Sequence, residues 1–346
     1  MRVAILGGGF CGATVASLLD SNNELSVTLI DQKSYFEYNP GAHKCITNPH
    51  YQTHLRRYYS QFLPNTLVIT EKIKEVYPSK IRTTSKIIKF DYAVLCMGNI
   101  YPIMLSNKKH VYKMTTSNEA IQLFNSLNSS KHVLIVGGGY LGVEIAGELA
   151  TKRPDLHITL VHSHKRLLEK HPIFVSTYTM KFLTKRGVNI LLNEKIVAQP
   201  KEHVFVTKTE KEIQADTCIW CTGINADTSY LKEFNPFPIN LNKRIKVNSH
   251  LQVEGFPKLF SGGDITAIKE EKTAQKAKRH AQIIAKNIIR LNQNKPLIKY
   301  KKKTSPMVIS IGDYHGIGTY GNISFYGILP GFAKWFVEWW SLNRFK

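Results

Sequence analysis

Six glycines carry the spacing in this chain that most directly specifies chemistry. Gly7, Gly9 and Gly12 in VAILGGGFCG (residues 3–12), and Gly137, Gly139 and Gly142 in KHVLIVGGGYLGVEIAGELA (131–150), both show G-x-G-x-x-G spacing. Each set lies behind an apolar run and ahead of a helix-like segment. In that setting the first glycine allows a tight turn and the second lets backbone approach a pyrophosphate. The third lets helix pack on strand, so the phosphates meet a helix N-terminus. Two such cradles, about 130 residues apart, call for two dinucleotides in one chain. The usual pair is a bound flavin, FAD, and a transient nicotinamide, NADH or NADPH.

Further residues fit this reading. Asp31 ends the next apolar run, LSVTLID, where a carboxylate accepts ribose hydroxyls. FDYAVLCMGN (90–99) and ADTCIWCTGI (215–224) are Asp-led strands that run into the glycine turns at Gly98 and Gly223. KLFSGGDI (258–265) sets Asp264 behind a strand and a Gly-Gly turn, a place suited to a flavin's ribityl chain. The C-x-x-C at Cys218 and Cys221 lies within an apolar strand, so packing rather than metal or redox chemistry is expected there. In the second cradle, the strand HITLVHSHK ends at His162 and Ser163 with no carboxylate to repel a 2′-phosphate. Lys165 and Arg166 follow. Use of both NADH and NADPH is expected, unless those cations belong only to a solvated loop.

The elements that must position these groups set the fold class. Strand, glycine turn and helix occur twice, which predicts an α/β protein with two Rossmann-like dinucleotide-binding domains and a small C-terminal region. At 346 residues the chain is long enough for two or three domains. No apolar run is long enough to span a membrane. The first apolar run meets glycines at once and leaves no room for a signal peptide. Five cysteines in no disulfide framework suit a reducing compartment, so a cytoplasmic location is expected. A surplus of 47 basic over 25 acidic residues, +22 in all, attracts anionic surfaces such as phospholipid or nucleic acid. A generally basic proteome would also account for it.

On these motifs the chain resembles the two-dinucleotide flavoproteins that include apoptosis-inducing-factor relatives, ferroptosis suppressor proteins and type II NADH dehydrogenases. TLVHSH (159–164), CTGINADTSY (221–230), IKVNSHLQVEG (245–255) and SIGDYHGIGTYG (310–321) carry the resemblance. It implies a glutathione-reductase-like fold and an NAD(P)H:quinone oxidoreductase of coenzyme Q type. Disulfide reductases of this fold carry a C-x4-C pair beside the flavin. The region EYNPGAHKCITNPH (37–50) has only Cys45, so the flavin is expected to deliver electrons directly.

The resemblance also assigns roles. Glu144, in a G-V-E context, is implied to lie near the nicotinamide and the flavin edge. The segment 270–291 reads as a helix whose N-terminus, at Lys272, Thr273 and Ala274, turns its positive dipole end toward the flavin. Type II enzymes carry an A-Q-x-A-x-Q-Q pattern implicated in quinone binding. This chain keeps Ala274, Gln275 and Ala277 and replaces the two glutamines by Arg279 and His280. Gln275 and His280 are the expected quinone contacts, with an exposed basic helix face as the plainer reading of Arg279.

The tail PGFAKWFVEWWSLNRFK (330–346) holds three of the four tryptophans. Phe332, Trp335, Phe336, Trp339 and Trp340 recur at helical spacing on one face. Pro330 and Gly331 are expected to start the helix, and Arg344 and Lys346 to close it. An aromatic face with basic flanks, helped by KYKKK (299–303), suits an anionic membrane surface. Packing against the chain's own core or a dimer mate is the alternative, and the oligomeric state stays open. The family's myristoylation route does not apply to a chain beginning Met1-Arg2. The expected division is an FAD domain (1–108 and 226–298), a nicotinamide domain (109–225) and a C-terminal region (299–346). Nucleic-acid binding and reduction of a small electron-carrier protein are the rival functions.

Overall fold

The apolar runs ahead of the two glycine turns become interior strands of two parallel sheets. In the computed structural model, which describes residues 1–231, 236–321 and 323–345, Arg2–Leu6 and His132–Val136 share one burial pattern: an exposed first residue, then four buried ones. A continuous apolar run marks a strand covered on both faces.

The first sheet has the order Gln252–Val253, Phe256–Ser261, Tyr92–Leu95, Arg2–Leu6, Ser26–Asp31, Leu67–Thr70. All neighbours are parallel except the Gln252–Val253 strand at the edge. The second is wholly parallel, with the order Val111–Lys113, Thr217–Trp220, His132–Val136, His157–His162, Asn189–Leu192. Each half also carries a three-stranded antiparallel meander ahead of its closing strand, Ile73–Lys89 in one and Ile196–Gln214 in the other.

The leading aspartates fasten the closing strands. Asp91 Oδ2 accepts the Arg2 N–H at 2.8 Å. Asp216 Oδ2 accepts the N–H groups of Lys131 and His132, each at 2.8 Å. The long helix Ala274–Asn292 buries Ala277, Ala281, Ile284, Ala285 and Ile288 and packs on Phe10–Leu19, the helix behind the first glycine turn.

The C-terminal region is a three-stranded antiparallel sheet (Met307–Ile311, His315–Tyr320, Ile323–Gly327) followed by the helix Ile328–Asn343. This helix starts two residues earlier than its Pro-Gly pair suggests, after Gly327 at φ 114°. Pro330 falls in its first turn, where a missing N–H costs no helical hydrogen bond.

The helix is inverted relative to an ordinary surface helix. Lys334, Glu338 and Ser341 are buried, whereas Phe332, Trp335, Phe336, Trp339 and Trp340 stand 44–59% exposed. The cause is charge pairing. Lys334 Nζ lies 2.7 Å from Glu144 Oε1. Glu338 accepts from Lys44 Nζ at 3.1 Å and from the Tyr51 hydroxyl. Beyond the helix, Phe345 packs between Phe36 and Phe62 and pins the end of the chain. The stripe therefore does not pack on the chain's own core. Lys346 lies outside the described residues.

Candidate active site

The two glycine turns share one backbone geometry. Gly7 has φ 91° and Gly137 φ 114°, values that favour glycine. A Cβ on Gly12 would stand 1.8 Å from the Gly7 carbonyl oxygen, and one on Gly142 would stand 1.8 Å from that of Gly137. Helix and turn approach too closely for any side chain.

Gly9 and Gly139 cap the two helices, neither with a side-chain hydrogen bond. A Cβ at either position would meet nothing within 4 Å. Free amides facing open space fit a pyrophosphate.

Behind the first turn, the Gly8 N–H donates to Asp31 Oδ2 at 2.5 Å. Behind the second, the Gly138 N–H donates to His162 Nδ1 at 3.1 Å. His162 thus occupies the place that Asp31 holds in the first half. The carbonyls of these glycines are also taken, Gly8 by the Tyr59 hydroxyl at 2.9 Å and Gly138 by the Leu168 N–H at 3.0 Å. Neither Tyr59 nor the 164–171 loop is signalled by local sequence, since both reach the cradles only through tertiary folding.

Two parts of the nucleotide reading need correction. Glu169 Oε2 lies 3.6 Å from His162 Nε2 and 2.9 Å from His164 Nδ1, so a carboxylate does stand at the end of this strand. Arg166 is spent on its own loop, donating to the carbonyls of His171 at 2.7 Å and Glu169 at 2.5 Å.

Asp264 sits in the short turn Gly263–Ile265 after its strand. Its Oδ2 accepts Asn99 Nδ2 at 2.8 Å, beside Gly98, and Arg244 bridges Asn99 Oδ1 (3.1 Å) and the Asp264 carbonyl. Burial raises the Asp264 carboxyl against the opposing pull of Lys272, Arg244 and His280. Lys272 Nζ donates to the carbonyls of Thr266 (2.8 Å) and Ile268 (2.9 Å). Burial brings this ammonium down to about 8. Thr273 caps the long helix through Lys276 N–H at 3.4 Å, and Ala274 is the first helical residue.

Gln275 is half-buried and takes no hydrogen bond among the described residues. His280 is placed otherwise than expected. It is 1% exposed. Its Nδ1 accepts the Gly263 N–H at 3.0 Å and its Nε2 meets Glu270 Oε1 at 2.7 Å, leaving no nitrogen for a quinone. Tyr300 holds the same carboxylate at 2.9 Å. Arg279, half-buried, donates to the Lys303 carbonyl at 3.2 Å.

Glu144 is buried where three segments meet. It accepts from Lys334 Nζ, Ser310 N and Ser310 Oγ at 2.7, 3.2 and 3.1 Å. Burial alone would raise this carboxyl, but Lys334 foremost, then His43 and the Ser310 amide, hold it below the usual range. His43 is itself driven down to about 4, chiefly by burial, and is neutral at pH 7.

Gly223, at φ 80°, turns the chain toward Pro102. A cavity of about 590 Å³ opens between Lys170–Pro172, Glu271–Lys276 and the C-terminal sheet at Met307 and Thr319. Cys218 is fully buried, and all five cysteines are free thiols.

The family description pyridine nucleotide-disulphide oxidoreductase matches residues 1–281. The chain belongs to that family. As a pyridine nucleotide-disulphide oxidoreductase it is a flavin-dependent enzyme of mixed α/β fold with FAD as cofactor and NADH or NADPH as co-substrate.

It is 30% identical to apoptosis-inducing factor homolog B of Dictyostelium discoideum, over 91% of this chain and 88% of that one. It is 27% identical to ferroptosis suppressor protein 1 of Homo sapiens (92% and 88%) and 25% identical to type II NADH:quinone oxidoreductase of Haemophilus influenzae (93% and 87%). Its fold matches the structure of NDH2 from Plasmodium falciparum in complex with NADH, with TM-score 0.88 at 17% identity over 99% and 96% of the two chains. Within a family named for disulfides, this member has only the buried Cys45 in the segment Asn39–Ile46.

Proposed function

We propose that this chain is an NAD(P)H:quinone oxidoreductase that works on a membrane-held quinone while resting on the bilayer surface. The observation that carries the reading is the inverted C-terminal helix. Its charges are buried on Lys44 and Glu144, and its aromatic face is turned outward. That is the arrangement of an interfacial helix. The relatedness to a type II NADH:quinone oxidoreductase supports the same acceptor class.

FAD, when bound, would supply the two-electron chemistry that links a hydride donor, the nicotinamide, to the acceptor. The chain's own residues hold the groups. The first cradle, with Gly7, Gly9, Gly12 and Asp31, would receive the FAD pyrophosphate and ribose, and Asp264 with Gly98 the ribityl side. The second cradle, with Gly137, Gly139, Gly142 and His162, would receive the nicotinamide dinucleotide, with Gly223 in the adjoining turn. His280 acts through the Gly263 amide as a positioning residue for Asp264. Gln275, with free amide groups beside the helix N-terminus, is the side chain offered to a quinone carbonyl. Glu144, fixed by Lys334 and Ser310, would set the charge behind the second cradle. No helix among the described residues is long and apolar enough to cross a membrane, so contact would be with the surface.

The test is a steady-state assay on purified protein. Bound flavin absorbance and nicotinamide-driven reduction of a short-chain quinone are expected. Protein without flavin, or unable to reduce quinones with either nucleotide, would overturn the proposal.

A further inference from the structure

The second cradle differs from the first in what answers its middle glycine, both at the amide and at the carbonyl. In the first half the Gly8 amide is answered by the Asp31 carboxylate. In the second it is answered by an imidazole, His162 Nδ1. Accepting that bond puts the ring's proton on Nε2, the nitrogen facing Glu169 Oε2 at 3.6 Å. Burial, opposed by Glu169, keeps His162 below its ordinary range and therefore neutral at pH 7.

Glu169 is not a casual surface acid. Its Oε2 is buried, 3.6 Å from His162 Nε2 and 2.9 Å from His164 Nδ1, and makes no hydrogen bond with a described residue. Its Oε1 takes no hydrogen bond from a described residue, and the side chain keeps 35% of its surface exposed. The loop that carries it is anchored on the cradle. Leu168 donates its N–H to the Gly138 carbonyl at 3.0 Å, and Leu167 packs so closely that a Cβ on Gly138 would stand 2.3 Å from its Cδ2. Arg166, the cation best placed in sequence to meet a 2′-phosphate, is consumed by the carbonyls of that loop. Exposed Lys165 is left as a freely solvated charge. The cluster also has the spacing of a divalent-metal site. The proton on His162 Nε2 opposes that use, because a metal would need the lone pair there.

We infer that Glu169 is the specificity-determining residue of the second cradle. Its carboxylate takes the place vacated by the missing strand-end acid, accepts the 2′-hydroxyl of the adenine ribose and repels a 2′-phosphate, so the enzyme prefers NADH to NADPH. This rests on the reading of the second cradle as the nicotinamide-dinucleotide site.

The experiment is calorimetric titration of the flavin-loaded enzyme with ADP-ribose and with 2′-phospho-ADP-ribose. ADP-ribose should bind about tenfold or more tightly than its phosphorylated counterpart, the scale of one close charge–charge repulsion. Glu169→Gln should close most of that gap by strengthening the phosphorylated ligand, and Glu169→Lys should reverse the order. Flavin content and melting temperature should stay unchanged in both variants. Equal affinities in the parent enzyme, or a ratio that Glu169→Gln leaves unmoved, would overturn the inference while leaving the cradle assignment intact. Failure of both ligands to bind would overturn the cradle assignment, and the inference with it.

Discussion

Lys334 Nζ lies 2.7 Å from Glu144 Oε1, both side chains buried, and so joins the last helix of the chain to the helix behind the second glycine turn. The surface proposed to meet the membrane is thus tied by a charge pair to the nucleotide-binding half. Removing one partner of such a pair strands the other charge in a poorly solvating interior.

Lys334→Met is expected to destabilise the protein by about 3–5 kcal/mol, the cost of an uncompensated buried charge. The double change Lys334→Met with Glu144→Leu should recover most of that loss. Urea unfolding of the three proteins checks it. A single-variant loss below about 1 kcal/mol, as for an exposed pair, would contradict the buried geometry.

His43 makes a pH prediction with a definite sign. Its folded value near 4, against an ordinary 6.5, means that the unfolded chain binds the proton first as pH falls. The stabilisation from neutral His43 is fully present above pH 6.5 and is lost as pH drops toward about 4. Over that window it amounts to about 3 kcal/mol at roughly 1.4 kcal/mol per pH unit. His43→Gln should flatten the stability profile between these limits. An unchanged slope would mean that His43 titrates normally in the folded protein.

The two strand–glycine–helix turns and the turn that carries Asp264 were legible in the sequence because their geometry is local. Glycine spacing, strand and helix all fall within about twenty residues. Glu169, Tyr59 and the two partners of the inverted helix were not. Each acts across a tertiary contact that no local period encodes, and Glu169 lies beyond the strand end where the acid is ordinarily sought. The aromatic stripe showed which face of the helix was apolar, but helical spacing alone does not say whether that face turns in or out. The buried pair Lys334–Glu144 and the partly buried pair Glu338–Lys44 settle its direction. His280 was misjudged because its two hydrogen-bond partners, Gly263 and Glu270, lie outside its own helix.

Gly139→Ala separates ligand binding from folding. The added methyl group meets no protein atom within 4 Å, and the residue's φ of −80° suits alanine. Stability should therefore stay within about 0.5 kcal/mol of the parent. Nicotinamide affinity should fall at least about tenfold if a pyrophosphate occupies that space. Gly142→Ala should instead fail structurally against the Gly137 carbonyl. If Gly139→Ala binds nucleotide normally, the second cradle is not the site.

Asp264→Ala removes the acceptor of the Asn99 amide at 2.8 Å and the carboxylate proposed for the ribityl chain. A hydrogen bond to a charged group contributes about 1.5–3 kcal/mol, so flavin should dissociate roughly ten- to hundredfold more readily. The flavin-to-protein ratio after gel filtration reads this out. Full retention with unchanged turnover would move the ribityl contact elsewhere.

The central claim is that the outward aromatic face of Ile328–Asn343 brings the enzyme to a membrane quinone. It is tested most directly by NADH-driven reduction of a long-tailed quinone in anionic liposomes, with a water-soluble short-chain quinone as internal control. The Trp335→Ala/Trp339→Ala/Trp340→Ala variant should lose most liposome binding and long-tailed-quinone turnover together. It should keep its flavin, its melting temperature and its short-chain activity, because all three rings are exposed. Undiminished turnover in liposomes, or a parallel loss of melting temperature and short-chain activity, would contradict the account.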